Sequence, residues 1–138
     1  MSGIAKVLPV VESERLVFDS SALILFLNDA LSTDGVTLLN DALHGDRAMI
    51  SAIVRAEVLA WPAHSAASLN AAKALLDVCQ MVPVDVAIAD EGARIRRETG
   101  LKLPDALIAA TVMLNMGTLV TANGKDFRRV PGLVLIDA

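Results

Sequence analysis

Four acidic residues are spaced along the 138-residue chain in positions that favour metal chemistry. Asp19 ends the β-forming run VFD, and Asp126 follows a similar run, LVT, after a short polar turn. Asp105 follows Pro104 at the predicted start of a helix. Glu57 lies inside the apolar segment AIVRAEVLAW, where a carboxylate needs a partner or favours its protonated form. If such side chains met at one edge of a sheet, a metal ion would supply the missing positive charge.

Each acid also has an ordinary structural interpretation. Asp19 precedes two serines and suits a helix N-cap. Asp105 lies in a first helical turn, where the helix macrodipole favours a negative charge, and Asp126 lies in an Asn-Gly turn. For Glu57 the ordinary interpretation is a solvent-facing stripe of a helix, which its apolar neighbours disfavour. No single acid therefore identifies a site.

The elements that must position these acids follow from the pattern of hydrophobic runs and turn residues. The predicted strands are residues 16–19, 48–50, 81–84, 119–121 and about 133–136. The predicted helices are about 21–28, 35–43, 52–60, 66–78, 86–99 and 104–115, with a turn at NGKD. Short strands that alternate with longer helices predict a parallel sheet covered on both faces. Ligand sites in such sheets form beyond the carboxyl ends of the strands, which is where Asp19 and Asp126 fall.

Composition predicts a core of aliphatic residues and an apolar surface. Hydrophobic residues make up 54% of the chain, yet it has three Phe, one Trp and no Tyr. A chain this apolar is expected to expose hydrophobic surface that a protein partner or a second copy covers. The helix predicted at 104–115 is apolar on almost all sides, which indicates burial against the sheet and against another surface.

Charge balance argues against an ordinary basic nucleic-acid binder. Twelve basic and sixteen acidic residues give a net charge of −4. Clustered carboxylates whose charge a metal cancels would also produce an acidic balance, so the distribution of charge matters more than its sum.

No part of the sequence predicts a membrane span or a secretion signal. The longest uncharged stretch, 106–124, divides into a helix that Asn115 and Gly117 end and a following strand. The first fifteen residues contain no long apolar block. The single cysteine, Cys79, suits a reducing compartment. A cytoplasmic protein is expected.

Four segments, in this order and at these separations, resemble the PIN domain: VFDSSALI, SAIVRAEVL, LKLPDALIAATV and LVTANGKDFRRVPGLVLI. The resemblance covers about residues 15–137 and is strongest to the VapC-like ribonuclease toxins of type II toxin–antitoxin pairs. It implies a PIN-like three-layer α/β/α fold with a central, mainly parallel sheet. It divides the chain into an N-terminal extension, 1–14, in which 7–11 suits an extra strand or interface arm, and a PIN domain, 15–138.

The resemblance also implies an activity, metal-dependent hydrolysis of RNA phosphodiester bonds with Mg²⁺ or Mn²⁺. Carried over by motif position, the catalytic and metal-binding acids are Asp19, Glu57, Asp105 and Asp126. The supporting polar residues are Ser21, Thr121 and Asn123, with Ser20 and Ser51 as further hydrogen-bonding groups. The implied partners are an RNA substrate, a cognate antitoxin protein and a second copy of the chain in a homodimer.

Basic residues cluster around the third and fourth acidic motifs. Those predicted to contact RNA phosphates are Arg97, Lys102, Lys125 and Arg128. For RIRRE, a solvated helix face is an equally good interpretation, whereas KDFRR adjoins a candidate catalytic residue. With so few aromatic residues, base stacking contributes little to binding.

Two other hypotheses fit parts of the sequence. One is a catalytically silent PIN-like module that binds RNA or protein. The other is a phosphoacceptor domain in which Asp19 receives a phosphoryl group at a strand end, a hypothesis that leaves Glu57 unexplained.

Overall fold

The computed structural model describes residues 14–138, which form five strands and seven helices. The strands are β1 (Leu16–Phe18), β2 (Ala48–Ser51), β3 (Gln80–Val82), β4 (Thr118–Thr121) and β5 (Leu135–Asp137). The helices are α1 (Ser20–Leu27), α2 (Thr33–His44), α3 (Ala52–Leu59), α4 (Ala66–Asp77), α5 (Val86–Thr99), α6 (Leu103–Leu114) and α7 (Gly124–Phe127).

The strands form one sheet in the order β3-β2-β1-β4-β5, and every neighbouring pair is parallel. Helices cover both faces, so the predicted three-layer α/β/α fold with a parallel sheet is confirmed. The chain leaves β1 toward β2 and later returns to the other side of β1 as β4. The gap between β1 and β4 is therefore the topological switch point, where parallel sheets place their ligand sites.

The core lies around the central strands and the apolar helix α6. All three residues of β1 and all four of β4 are buried, as central strands of a sheet covered on both faces should be. Helix α6 packs against β4 and, on its other side, against α5. A Cβ added at Gly92 of α5 would lie 2.6 Å from Leu107 Cδ2, so this glycine permits the close approach of the two helices. The second surface expected for α6 is thus α5.

Several predicted boundaries are wrong in detail. The turn predicted at NGKD is the short helix α7, which begins at Gly124. Asp19 lies outside β1 and caps the next helix instead. The third strand was predicted too late in the chain and the last strand too early, because both are short edge strands with weak signals. The segment 7–11 lies outside the described residues.

Among the helices at 14–138, none is long and apolar enough to cross a membrane.

Candidate active site

The register of the central strands brings Asp19 and Thr121 together. Phe18 of β1 pairs with Val120 of β4, so the residues that follow each of them lie side by side at the carboxyl edge of the sheet. The backbone N–H of Asp19 donates to the Val120 carbonyl at 3.1 Å, which extends the pairing by one bond. The Thr121 hydroxyl donates to Asp19 Oδ2 at 2.5 Å.

Asp19 is buried and fully held by hydrogen bonds. Its side chain is 3% exposed and caps α1, where Oδ1 accepts from the backbone N–H of Ala22 at 3.0 Å. The Ser21 hydroxyl also donates to Oδ1, at 2.8 Å. With the bond from Thr121, three donors fix the orientation of this carboxylate. The N-cap interpretation and the site interpretation of Asp19 are therefore compatible.

Burial raises the pKa of Asp19 above its ordinary value, because removal from water disfavours the ionised form. The hydrogen bonds from Thr121, Ala22 and Ser21 act in the opposite direction, since they stabilise the carboxylate. The net effect is a raised pKa. A nearby cation would favour the ionised form at this position.

The Ser21 and Thr121 hydroxyls, which donate to Asp19, also accept hydrogen bonds from the loop after β4. The backbone N–H of Ala122 donates to Ser21 Oγ at 3.1 Å, and that of Asn123 donates to Thr121 Oγ1 at 2.8 Å. Each hydroxyl thus donates one hydrogen bond to Asp19 and accepts one from the loop. The supporting residues Ser21 and Thr121 connect the first acid to the segment that carries the fourth.

Glu57 is half-buried on α3, which packs against α1. The partner that its apolar surroundings call for is Ser20, whose hydroxyl donates to Glu57 Oε1 at 2.9 Å. Arg55, two residues earlier, instead pairs with Asp77 at 2.9 Å. The residue next to Asp19 therefore orients the second acid.

Asp126 lies in the first turn of α7. The Asn123 side chain donates from Nδ2 to Asp126 Oδ2 at 3.0 Å, which gives this supporting residue a definite contact. The short helix, rather than a free turn, sets the direction of the fourth acid.

Asp105 lies close enough to the other three acids for their charge to affect its pKa. It lies half-buried in the first turn of α6, after Pro104. Its pKa is raised, first by burial and then by repulsion from Glu57, Asp19 and Asp126, while Lys102 lowers it. Among residues 14–138, no side chain donates a hydrogen bond to its carboxylate. The four acids therefore lie within electrostatic range of one another, although they come from four separate elements.

These acids do not form a complete set of protein ligands for a metal ion. Over the described part of the chain, no three His, Cys, Asp or Glu side chains converge closely enough to hold a metal ion by themselves. Mg²⁺ commonly keeps several waters and binds through a few carboxylates together with substrate phosphate. The donor set, oxygen only and with excess negative charge, fits a hydrated divalent ion better than one enclosed by protein.

The basic residues predicted to contact phosphates differ in their surroundings. Within 14–138, the side chains of Arg97, Lys102 and Lys125 form no hydrogen bond or ion pair. Arg128 instead pairs with Asp137, at the end of β5. Of the neighbouring RIRRE residues, Arg94 pairs with Glu91 and Glu98, so only part of that segment carries unpaired positive charge.

Sequence reasoning did not single out Asp137. Its signal was present, since it directly follows the apolar run LVLI, as Asp19 follows VF. The order of the strands, which places β5 beside β4, is what brings Asp137 close to the site.

Comparison with known proteins gives one family. Residues 16–133 match the family model described as the PIN domain. A chain of a toxin–antitoxin complex from Klebsiella pneumoniae is 29% identical, with a TM-score of 0.72 over 86% of this chain and 95% of the other. Among curated protein sequences, none matches.

Two further solved structures share the fold at lower identity. DNA-bound VapBC from Salmonella typhimurium is 21% identical with a TM-score of 0.75, over 90% of this chain and 98% of the other. VapBC2 from Rickettsia felis, bound to a DNA fragment from the promoter, is 22% identical with a TM-score of 0.71, over 89% and 98%.

Proposed function

The chain belongs to the PIN-domain family, and from this premise we propose that it is a metal-dependent endoribonuclease, the toxin of a type II toxin–antitoxin pair. The predicted resemblance to this family is confirmed by the match over residues 16–133. The likeness to a chain of the Klebsiella pneumoniae toxin–antitoxin complex supports the more specific assignment.

The observation that carries the proposal is the hydrogen-bond network at the carboxyl edge of the sheet, in which Ser21 and Thr121 donate to Asp19, Ser20 donates to Glu57 and Asn123 donates to Asp126. The pKa of Asp105 is raised, first by burial and then by repulsion from these three acids, which supports the same grouping. A protein core gains nothing from bringing four carboxylates together, because the repulsion opposes folding. A divalent cation that binds there with RNA would offset that cost.

The residues that would hold Mg²⁺ or Mn²⁺ are Asp19, Glu57, Asp105 and Asp126. When bound, such an ion supplies activation of water and stabilisation of the leaving oxygen in phosphodiester hydrolysis. The chain's own hydroxyl and amide groups fix three of these four carboxylates beforehand. Ser21 and Thr121 hold Asp19, Ser20 holds Glu57, and Asn123 holds Asp126. Such preorganisation places ligands without reorganisation at the moment of reaction.

RNA would be positioned through its phosphates. The residues proposed for this role are Arg97, Lys102, Lys125 and Arg128. Lys102 lies close enough to Asp105 to lower its pKa, which supports a basic rim next to the acids. Phosphate contacts of this kind orient a strand and carry no base information, so the RNA target depends on other features.

Partners complete the proposal. Large hydrophobic side chains on the surface include Met116, 87% exposed, and Val86, 76% exposed. Such exposure supports a protein partner, for which we propose a cognate antitoxin and a second copy of the chain in a homodimer. We further propose a cytoplasmic location, with residues 15–138 as the PIN domain and 1–14 as an N-terminal extension.

The direct test is cleavage of a mixed cellular RNA pool by the purified, antitoxin-free protein in Mg²⁺, Mn²⁺ or EDTA. We expect metal-dependent cutting that falls at least about a hundredfold in Asp19→Asn and in Asp105→Asn. Such a loss corresponds to about 2.7 kcal/mol of transition-state stabilisation, within what a divalent ion supplies. Sequencing the cut ends identifies the RNA target.

Asp34→Asn is the matched control. Like Asp105, Asp34 is an aspartate in a first helical turn, on α2, but it is exposed and is not among the groups that shift the pKa of Asp105. Cutting that survives in EDTA, or that falls equally in Asp34→Asn, would contradict the proposal.

A second candidate function is a catalytically silent PIN-like module that binds RNA or protein. The observation that favours it is the absence, within the described residues, of three acids close enough to hold an ion unaided. RNA binding that persists in Asp19→Asn, with no cutting in Mn²⁺ by wild type, would select this candidate.

A further inference from the structure

The ion pair between Arg128 and Asp137 stands apart from the other basic residues near the acids. The Arg128 guanidinium donates from NH2 to Asp137 Oδ2. Both side chains remain partly open to water, 57% and 45% exposed. Water can therefore reach the pair, and so can a phosphate.

Asp137 lies directly beside the acidic site. It pairs with Thr121 in the register of β4 and β5, and Thr121 is the residue that donates to Asp19. The next backbone N–H, that of Ala138, donates to the Thr121 carbonyl at 2.8 Å, which fixes the strand end. Asp137 thus lies at the same edge of the sheet as Asp19, with the end of β4 between them.

Gly124 provides the space for this arrangement. A Cβ added at Gly124 would collide with Asp137 Oδ1 in its present orientation, so the glycine leaves room for the carboxylate against the start of α7. Helix α7 carries both Asp126 and Lys125. The Arg128–Asp137 pair therefore lies next to the segment that holds the fourth acid.

We propose that Asp137 is an internal anion that occupies Arg128 until an RNA phosphate replaces it, and that it thereby sets the affinity for RNA. This inference rests on the proposed function. A guanidinium binds carboxylate and phosphate with the same planar geometry, so the two anions compete for one partner. The side chains of Arg97, Lys102 and Lys125 have no such competitor within residues 14–138.

The exchange predicts a particular salt dependence. When a phosphate takes Arg128, the freed Asp137 carboxylate attracts a cation from solution, which cancels part of the counterion release from RNA. In Asp137→Asn no carboxylate is freed. The slope of log K against log salt should then steepen by up to about 0.7, the value of one full phosphate contact to a single strand.

The experiment measures binding of a short fluorescein-labelled single-stranded RNA to the full chain by anisotropy, in EDTA and over a series of salt concentrations. Asp137→Asn should bind about two- to fivefold more tightly than wild type, the range that an exposed ion pair supplies. Asp137→Glu keeps the charge and should restore wild-type affinity and slope.

Two comparisons separate this exchange from a change in overall charge. Asp77→Asn breaks the Arg55–Asp77 pair with the same change in net charge, and it should leave the salt slope as in wild type. In an Arg128→Gln background, Asp137→Asn should have no further effect on affinity.

The inference would be overturned by an unchanged affinity and slope in Asp137→Asn, or by an effect that persists without Arg128. RNA binding by wild type would then leave the proposed function standing. If no variant binds RNA, the inference falls, and the cleavage test in Mg²⁺ or Mn²⁺ decides the proposed function separately.

Discussion

Asp19 and Asp105 belong to one acidic site, but the protein holds them in opposite ways. Asp19 is 3% exposed and accepts three hydrogen bonds, one of which caps a helix. Asp105 is half-buried and, among the described residues, receives no side-chain hydrogen bond on its carboxylate. Burial is the first cause of a raised pKa at both, yet only Asp105 is also raised by repulsion from the other acids.

This contrast separates the base of the site from its rim. At the base, the carboxylate is part of the structure, because removing it leaves two hydroxyl protons and one backbone N–H without the acceptor they use. At the rim, the carboxylate costs folding free energy, and its position follows from the start of α6 alone. Under the proposed function, a residue of the first kind would serve stability and metal binding together. A residue of the second kind would serve metal binding only.

The largest difference should appear in the free energy of unfolding of the two alanine variants. Asp19→Ala removes an N-cap, worth about 1 kcal/mol, and strands the Ser21 and Thr121 hydroxyls, which costs about 1–3 kcal/mol more. Relief of the buried charge offsets part of this, so we expect a net loss of about 2–3 kcal/mol in urea denaturation. Asp105→Ala should stay within about 0.5 kcal/mol of wild type.

Ser32→Ala provides the matched control for this comparison. Ser32 caps α2 by accepting from the Gly35 N–H at 3.0 Å. Its loss therefore removes a helix cap and leaves the acidic site unchanged. We expect about 1 kcal/mol. If Asp19→Ala costs no more than Ser32→Ala, the hydroxyl network contributes nothing and the base of the site is not structural.

The next largest effect should come from divalent ions, which act on the repulsion felt at the rim. At ten times its Kd, an ion that binds only the folded state stabilises it by about 1.4 kcal/mol. We therefore expect Mg²⁺ to raise the melting temperature and EDTA to lower it, with the response lost in Asp105→Asn and kept in Asp34→Asn. Identical melting curves in EDTA and in millimolar Mg²⁺ would count against a metal site.

The local geometry around Asp19 could be predicted from the sequence, since signals within a few residues determine it. The run VFDSS contains the strand end, the N-cap and the first hydroxyl within a few residues. Helix α5, Val86–Thr99, was predicted at its observed bounds because Asp85 caps its start and Gly100, with φ 75°, ends it. Such signals depend on neighbours in the chain, which a single sequence displays.

What the sequence could not predict depends on how distant segments meet. The contact between Ser20 and Glu57 requires α1 to pack against α3, and nothing in either segment specifies that. The pairing of Arg128 with Asp137 requires β5 to lie beside β4. The number of charges near the acids could be counted from the sequence, but not which of them were already neutralised.

The smallest effect is a pH dependence of stability that Asp105 should contribute in the absence of metal. Its pKa in the folded chain is raised above the ordinary value that it has in the unfolded chain. Between those two pKa values the folded state binds more protons than the unfolded state, so wild type loses this stabilising contribution as pH rises through the folded pKa. Asp105→Asn cannot ionise and loses nothing. The unfolding free energy of the variant relative to wild type, measured in EDTA by urea denaturation from about pH 4 to pH 7, should therefore increase with pH and then level off. The change should be smaller than the effects above, because water screens a half-exposed carboxylate. A difference that is flat across this range, or that decreases with pH, would mean that the pKa of Asp105 is not raised in the folded chain, and that neither burial nor repulsion makes this carboxylate cost folding free energy.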